Sequence, residues 1–145
     1  MATKRAAFGA KLLLSDGAAT PTFTEVPGVG DFGAPFPQVE TEDVTSHDSA
    51  GRWREFIQTV RDGGELSVPC QFDFEDATHQ ALIEASGEFG QKTFQVEAPT
   101  GETIAEFNAY VGVDGTGMFA VTGSQQVTLT LRATGEVLLP FIPTP

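Results

Sequence analysis

Apolar residues return at every second position over most of this chain, as half-buried antiparallel strands require. Leu66, Val68, Cys70, Phe72 and Phe74 fall on one face, with Ser67, Pro69, Gln71 and Asp73 on the other. Val127, Leu129, Leu131 and Ala133 alternate with Gln126, Thr128, Thr130 and Arg132, and Phe94, Val96 and Ala98 alternate with Thr93, Gln95 and Glu97. The pair Thr100-Gly101 predicts a hairpin turn into a strand over 102–113, where Ala105, Phe107, Ala109 and Val111 share a face. Less regular strands are predicted over 8–14, 22–26 and 38–46. Pro69 lacks the N–H that a ladder needs, so its strand belongs at a sheet edge or carries a bulge.

One helix interrupts the strands. Asp76 is an N-cap before ATHQALIEAS, Gly87 suits a left-handed stop, and Leu82, Ile83, Ala85 and Ser86 offer a stripe to pack on a sheet. About seven strands and one helix predict a mainly β protein. The expected fold is an antiparallel β-sandwich or open barrel with one short flanking α-helix and a long projecting arm. The predicted core is Leu66, Val68, Cys70, Phe72, Phe94, Val96, Phe107, Val127, Leu129 and Leu131, with Leu82 and Ile83 from the helix. At 145 residues the chain suffices for one domain with a real core. Within that domain, 40–66 reads as the arm and 136–145 as a C-terminal tail.

The arm breaks the alternation. The segment from Glu40 to Leu66 is far longer than a hairpin turn of about 2–5 residues. It holds the only tryptophan, Trp53, together with Phe56, Ile57 and Val60, and three of the chain's eight basic residues, Arg52, Arg54 and Arg61. Aromatics interleaved with arginine on a projection compose a protein–protein contact. The alternative is a loop that folds back and buries Trp53 against its own core.

Charge narrows the partners. Twenty acidic against eight basic residues leave a net charge of -12, which opposes tight nucleic-acid binding by phosphate neutralisation. The same sign suits a conduit through which DNA slides without sticking. Cys70 is the only cysteine, so no disulfide forms within the chain, and its strand position predicts a buried thiol. MATKRAAFGAKLLL has no apolar run for a signal peptide's core, and no stretch reaches the roughly 18–20 apolar residues of a membrane span. The expectation is a soluble protein made in the cytoplasm, with no targeting of its own.

No catalytic or metal site is expected, and no cofactor. His47-Asp48-Ser49 has the residue types of a hydrolase triad, but three consecutive side chains do not line up nucleophile, base and orienter. Two histidines and one cysteine give no zinc pattern. His79, three residues after Asp76, predicts a local polar contact. Asp114-Gly115-Thr116-Gly117 lacks the further carboxylates of a calcium loop and the lysine of a P-loop, which leaves a turn.

The order of motifs carries a resemblance. An SDG turn leads to TFTEVPGV over 22–29, then DVTSHDSAG over 43–51 and REF followed by RDGGEL to Leu66; FDFEDATHQAL opens the helix and TLTLRATGEV closes the series. Over about 8–135 this series resembles the major tail tube proteins of long-tailed, non-contractile bacteriophages and of phage-like gene transfer agents. The resemblance implies hexameric rings stacked into a tube in the virion tail, each subunit adding strands to an inner barrel. It implies an arm reaching a neighbouring copy, other tail proteins at the two tube ends, and DNA passing without sequence-specific binding. The expected subunit interface is Arg52, Trp53, Arg54, Phe56, Ile57 and Arg61. Gln95, Glu97, Glu106, Asn108, Gln126, Thr128 and Thr130 lie opposite the apolar faces and are the expected lumen lining, with Arg132 on the same face paired to a carboxylate. Two other functions fit: a monomeric carbohydrate- or protein-binding sandwich with an exposed tryptophan in a concave site, or a bacterial secretion-system tube protein.

Overall fold

A computed structural model describes residues 3–17, 19–88 and 90–143. The strands are β1 (Lys11–Ser15), β2 (Phe23–Glu25), β3 (Gln38–Asp43), β4 (Phe56–Asp62) and β5 (Glu65–Gln71), followed by the helix α1 (Ala77–Ser86). Then come β6 (Lys92–Glu97), β7 (Thr103–Asp114) and β8 (Gln126–Leu138). Six of them form one antiparallel sheet in the order β2-β1-β6-β7-β8-β5, while β3 and β4 form a separate two-stranded sheet. The predicted class, mainly β with one helix and a projecting arm, is the observed one.

Register follows from the alternation. Phe94 sits opposite Phe107, Val68 opposite Leu129 and Cys70 opposite Val127, so the apolar halves of neighbouring strands meet on one face. Leu12, Phe94, Phe107, Leu129, Leu131 and Val68 are all buried there, with Leu82 of α1 in the same cluster. Strand-by-strand alternation is what a sheet with one wet face demands, since a one-residue slip would expose the whole apolar set.

The two edges of the sheet are tied together. Just past β2 the chain crosses to β5: Gln71 N donates to Gly28 O at 2.8 Å, and Gly30 N donates to Pro69 O at 2.7 Å. Pro69 therefore stands on the edge strand, with its carbonyl turned away from β8, as its missing N–H anticipates. Gly28 makes the crossing possible. Its φ is +78°, and a Cβ there would lie 2.6 Å from Gln71 O. Closing the sheet in this way leaves little free edge for unwanted pairing.

Several expectations are corrected. The first strand begins at Lys11, not at 8, and Phe8 is fully exposed. The third ends at Asp43, not at 46. β5 stops at Gln71, so Phe72 is only half-buried and Phe74 is exposed. On α1 the buried positions are His79, Leu82 and Ala85, whereas Ile83 is 43% exposed and Ser86 faces solvent. The helix is anchored by its first turn: Asp76 Oδ1 accepts from Thr78 N at 2.9 Å and His79 N at 3.1 Å, which sets the rotation that brings His79 inward. Gly87 ends it in a right-handed conformation, φ −95°. Of the expected tail over 136–145, residues 136–138 continue β8 and Leu139 packs on the core, while 144–145 lie outside the described residues.

The buried face of His79 has a defined chemistry. Its Nε2 lies 2.7 Å from Pro27 O and 3.3 Å from Cys70 Sγ, while Nδ1 accepts from Asp73 N at 3.0 Å. The ring thus pins the crossing segment to the helix rather than holding a ligand. Burial, with Asp76 adding to it, pushes the Cys70 thiol up from 9.0 to about 11. A thiol this protonated and only 1% exposed is expected to resist iodoacetamide in the native state at pH 8 and to react fully once the chain is unfolded. Mass spectrometry of the alkylated protein reads this out, and rapid native labelling would contradict it.

Candidate assembly surface

The segment over 40–66 is built as a hairpin rather than a loop. Gln38 faces Asp62, Thr41 faces Gln58 and Asp43 faces Phe56, with a register shift between Val39 and Thr41. Every residue of β3 is exposed, and in β4 only Asp62 is partly covered. Two strands alone are marginal in water, and this pair also leaves both outer edges unpaired among the described residues.

The tip is held by polar side chains. Val44 N donates to Glu55 O at 2.9 Å, Glu55 N donates to Thr45 Oγ1 at 2.8 Å, and Ser49 Oγ donates to Glu55 Oε2 at 3.0 Å. Ser49 is therefore committed to Glu55 rather than to a triad. Arg54 pairs with Asp43 at 3.6 Å. Hydrogen bonds from the Thr45 side chain and backbone, with Arg54 beside them, hold the Asp43 carboxyl below its usual range. A 3-10 turn at Ala50–Arg52 then places two successive residues, Gly51 and Arg52, at φ 63°. That conformation costs a non-glycine residue roughly 1–2 kcal/mol, and here it turns Trp53 outward, 78% exposed. Trp53 is not buried in its own core.

The predicted interface residues do not share one face. Phe56 and Ile57 are successive strand residues and point to opposite sides of the hairpin, and both are about half exposed. Val39 and Arg61 are directly opposed and lie at the arm's root, where they line a cavity of about 640 Å³ with Glu136 and Val137. The root is fixed to the body by Asp62, which accepts from Arg132 at 3.1 Å and from Gly64 N at 2.8 Å. These bonds, the one from Gly64 N first, lower the Asp62 pKa. The expected carboxylate partner of Arg132 is this one.

The seven expected lumen residues lie on the polar side of the main sheet. Gln95 Nε2 donates to Glu106 Oε1 at 3.1 Å, and Thr93 Oγ1 donates to Asn108 Oδ1 at 2.7 Å. Gly112 opposite Thr130 and Asp114 opposite Thr128 carry the same side across to β8, where Gln126 and Thr128 are exposed. Glu97 lies at the end of β6, past a register shift. Sequence alternation missed Tyr110, which stands 52% exposed on this polar side.

A second exposed group was also missed. Phe74 and Phe119 stack at 6.3 Å, and Val121, two residues after Phe119 on the β7–β8 connection, is fully exposed. The only signal in the chain was an aromatic within a glycine-rich turn. Among the described residues no group of three or more His, Cys, Asp or Glu is placed to hold a metal, and no helix is long and apolar enough to cross a membrane.

No protein-family model matches the sequence, and comparison with curated proteins finds no relative. Solved structures do match the fold. A chain in the tail of an empty gene transfer agent particle, obtained with helical refinement and C6 symmetry, superposes with a TM-score of 0.70 at 22% identity, over 88% of this chain and 94% of that one. A chain from the virion of a native gene transfer agent particle gives a TM-score of 0.74 at 20% identity, over 94% and 98%. A chain of the anti-feeding prophage baseplate, six-fold symmetrised, gives 0.62 at 9% identity, over 95% and 97%. The fold is thus one found in the tails and baseplates of phage-like particles.

Proposed function

We propose that this chain is a structural subunit of a phage-type tail, which assembles into six-membered rings stacked as a tube and passes DNA through the lumen. The observation that carries the proposal is the arm. A rigid tip presents an exposed tryptophan on a hairpin that buries almost nothing within its own chain, on a fold shared with chains of a C6 helical tail. A second copy of the chain supplies the missing cover. Rings made by head-to-tail contacts leave unlike upper and lower surfaces, which is the condition for stacking. Trp53 stands 78% exposed at the tip of a hairpin whose strands are almost wholly exposed, which disfavours a monomeric sugar-binding module.

Negative-stain electron microscopy of the purified protein tests the proposal. Rings or hollow tubes are expected, and a protein that remains monomeric at high concentration would overturn it. The polar face of the main sheet then lines the channel, where six-fold repetition turns Glu97 and Glu106 into rings of like charge that repel phosphate within about 8 Å at physiological salt. Replacing both with lysine is expected to leave tubes intact and to slow or stall DNA delivery. Unchanged delivery by such particles would place these residues elsewhere than on the channel wall.

A further inference from the structure

The arm and the Phe74–Phe119 group belong to opposite ends of the body. Asp62 and Gly63 still lie against β8, Asp62 bonded to Arg132 and Gly63 packed on Ala133 and Val137, so the chain enters β5 from beyond its Glu65 end. Phe74 follows the other end of β5, past Gln71. Seven residues of strand separate the two, about 20 Å at 3.3 Å per residue. The seven strand residues of β4 add about 20 Å at the same rise, and the exposure of both arm strands keeps them off the body. In a stack whose axis runs along β5, an arm leaving one end of a subunit meets the opposite end of the next copy.

We infer that the arm tip of one copy docks on the Phe74–Phe119 surface of a copy in the adjoining ring. The docking rests on the stacked-ring function proposed above and names the receiving surface. Trp53 supplies a flat apolar side chain, and the two stacked, exposed rings supply an apolar floor of matching character, with exposed Val121 two residues along the chain from Phe119. Charge agrees. Arg52 stands beside Trp53 with no ion pair among the described residues, whereas Arg54 already has Asp43. The receiving surface carries Asp73 and Glu75 on either side of Phe74, and Asp114 at the base of the loop that bears Phe119. Hydrogen bonds from the Thr116 side chain and backbone favour the ionised Asp114 carboxylate. Phe8 and Phe141, also exposed, belong to the end from which the arm itself leaves: Phe8 precedes β1, whose Lys11 faces Glu97 next to the β6–β7 turn, and Phe141 follows β8, whose Leu138 faces Glu106. The tip's hydrogen bonds and its left-handed Arg52 fix the loop that presents Trp53, and a preformed tip loses little entropy on docking.

Trp53 is the sole tryptophan, so its emission reports the contact directly. A dinitrophenyl quencher attached to Val121→Cys is the test, with Ile142→Cys at the opposite end as the comparison. Cys70 is buried and leaves the label site-specific, and Val121 is fully exposed, so the substitution does not disturb the fold. In assembled tubes the label at 121 is expected to quench Trp53 several-fold and the label at 142 to leave it nearly unchanged. Stronger quenching from 142, or none from 121 in intact tubes, overturns the docking while leaving the tube function standing. Wild-type chains that never form rings or tubes overturn the function, and the docking with it. Hydroxyl-radical footprinting of unmodified tubes gives an independent readout: Trp53, Phe74 and Phe119 become protected together on assembly. Protection of Trp53 without Phe119 refutes the contact.

Discussion

Trp53→Ala is expected to block tube formation while leaving a folded, soluble subunit. Trp53 is 78% exposed and touches little of its own chain, so its removal takes nothing from the core. An interface aromatic that acts as a hot spot contributes at least about 2 kcal/mol, which weakens each contact about 30-fold. Every subunit in a stack repeats that contact, so the concentration needed for polymerisation rises by the same factor. Circular dichroism should show an unchanged β-rich spectrum and melting point, while sedimentation shows the loss of large assemblies. Normal tubes from this variant would remove the arm tip from the assembly mechanism.

Phe94→Ala is expected to have the opposite character, destabilising the subunit itself. Phe94 is wholly buried, lies directly across from Phe107, and its ring stacks on that side chain at 5.9 Å. β6 and β7 stand in the middle of the sheet, where the closed barrel cannot collapse into the space left behind. Loss of a buried phenylalanine costs about 3–5 kcal/mol, and for a domain of this size the melting temperature should fall by about 10–20 °C. Urea unfolding followed by circular dichroism measures it. Trp53 fluorescence will not, because that side chain is already exposed in the native state. A loss below about 1 kcal/mol would mean that the central register is not the one described.

The strands over 66–71, 94–97, 105–111 and 127–133 were legible because each has one wet face and one dry one. Burial of one side writes a period of two into the residue types, and Leu129 or Phe107 can be placed from that period alone. The N-cap at Asp76, the turn at Gly101 and the edge position of Pro69 were legible for a different reason. Each is dictated by local backbone chemistry that needs no distant partner.

Where both faces are wet, or both covered by something nonlocal, the alternation disappears. β4 carries Phe56, Ile57 and Val60 without a period, since neither of its faces meets the body, and a bulge shifts Arg61 onto the side of Phe56. Ile83 and Ser86 were misplaced because a short helix has several plausible apolar stripes. His79, pulled inward by Pro27 O and Asp73 N, decides which one is used. Phe74 looked like one more core position until β5 ended at Gln71.

Local residue chemistry therefore determined the strand faces, the helix start and the aromatic- and arginine-rich make-up of the arm, because those depend on neighbours within a few positions along the chain. Three features were decided only by the folded chain. The crossing at Gly28–Gly30 closes the sheet on itself through bonds to residues some forty positions away. The salt bridge from Arg132 to Asp62 anchors the arm across 70 positions. The stacking of Phe74 on Phe119 gathers a surface from two separate loops. All three join parts of the chain that carry no mark of one another, since a hydrogen bond or ring contact between distant residues leaves no periodicity in either.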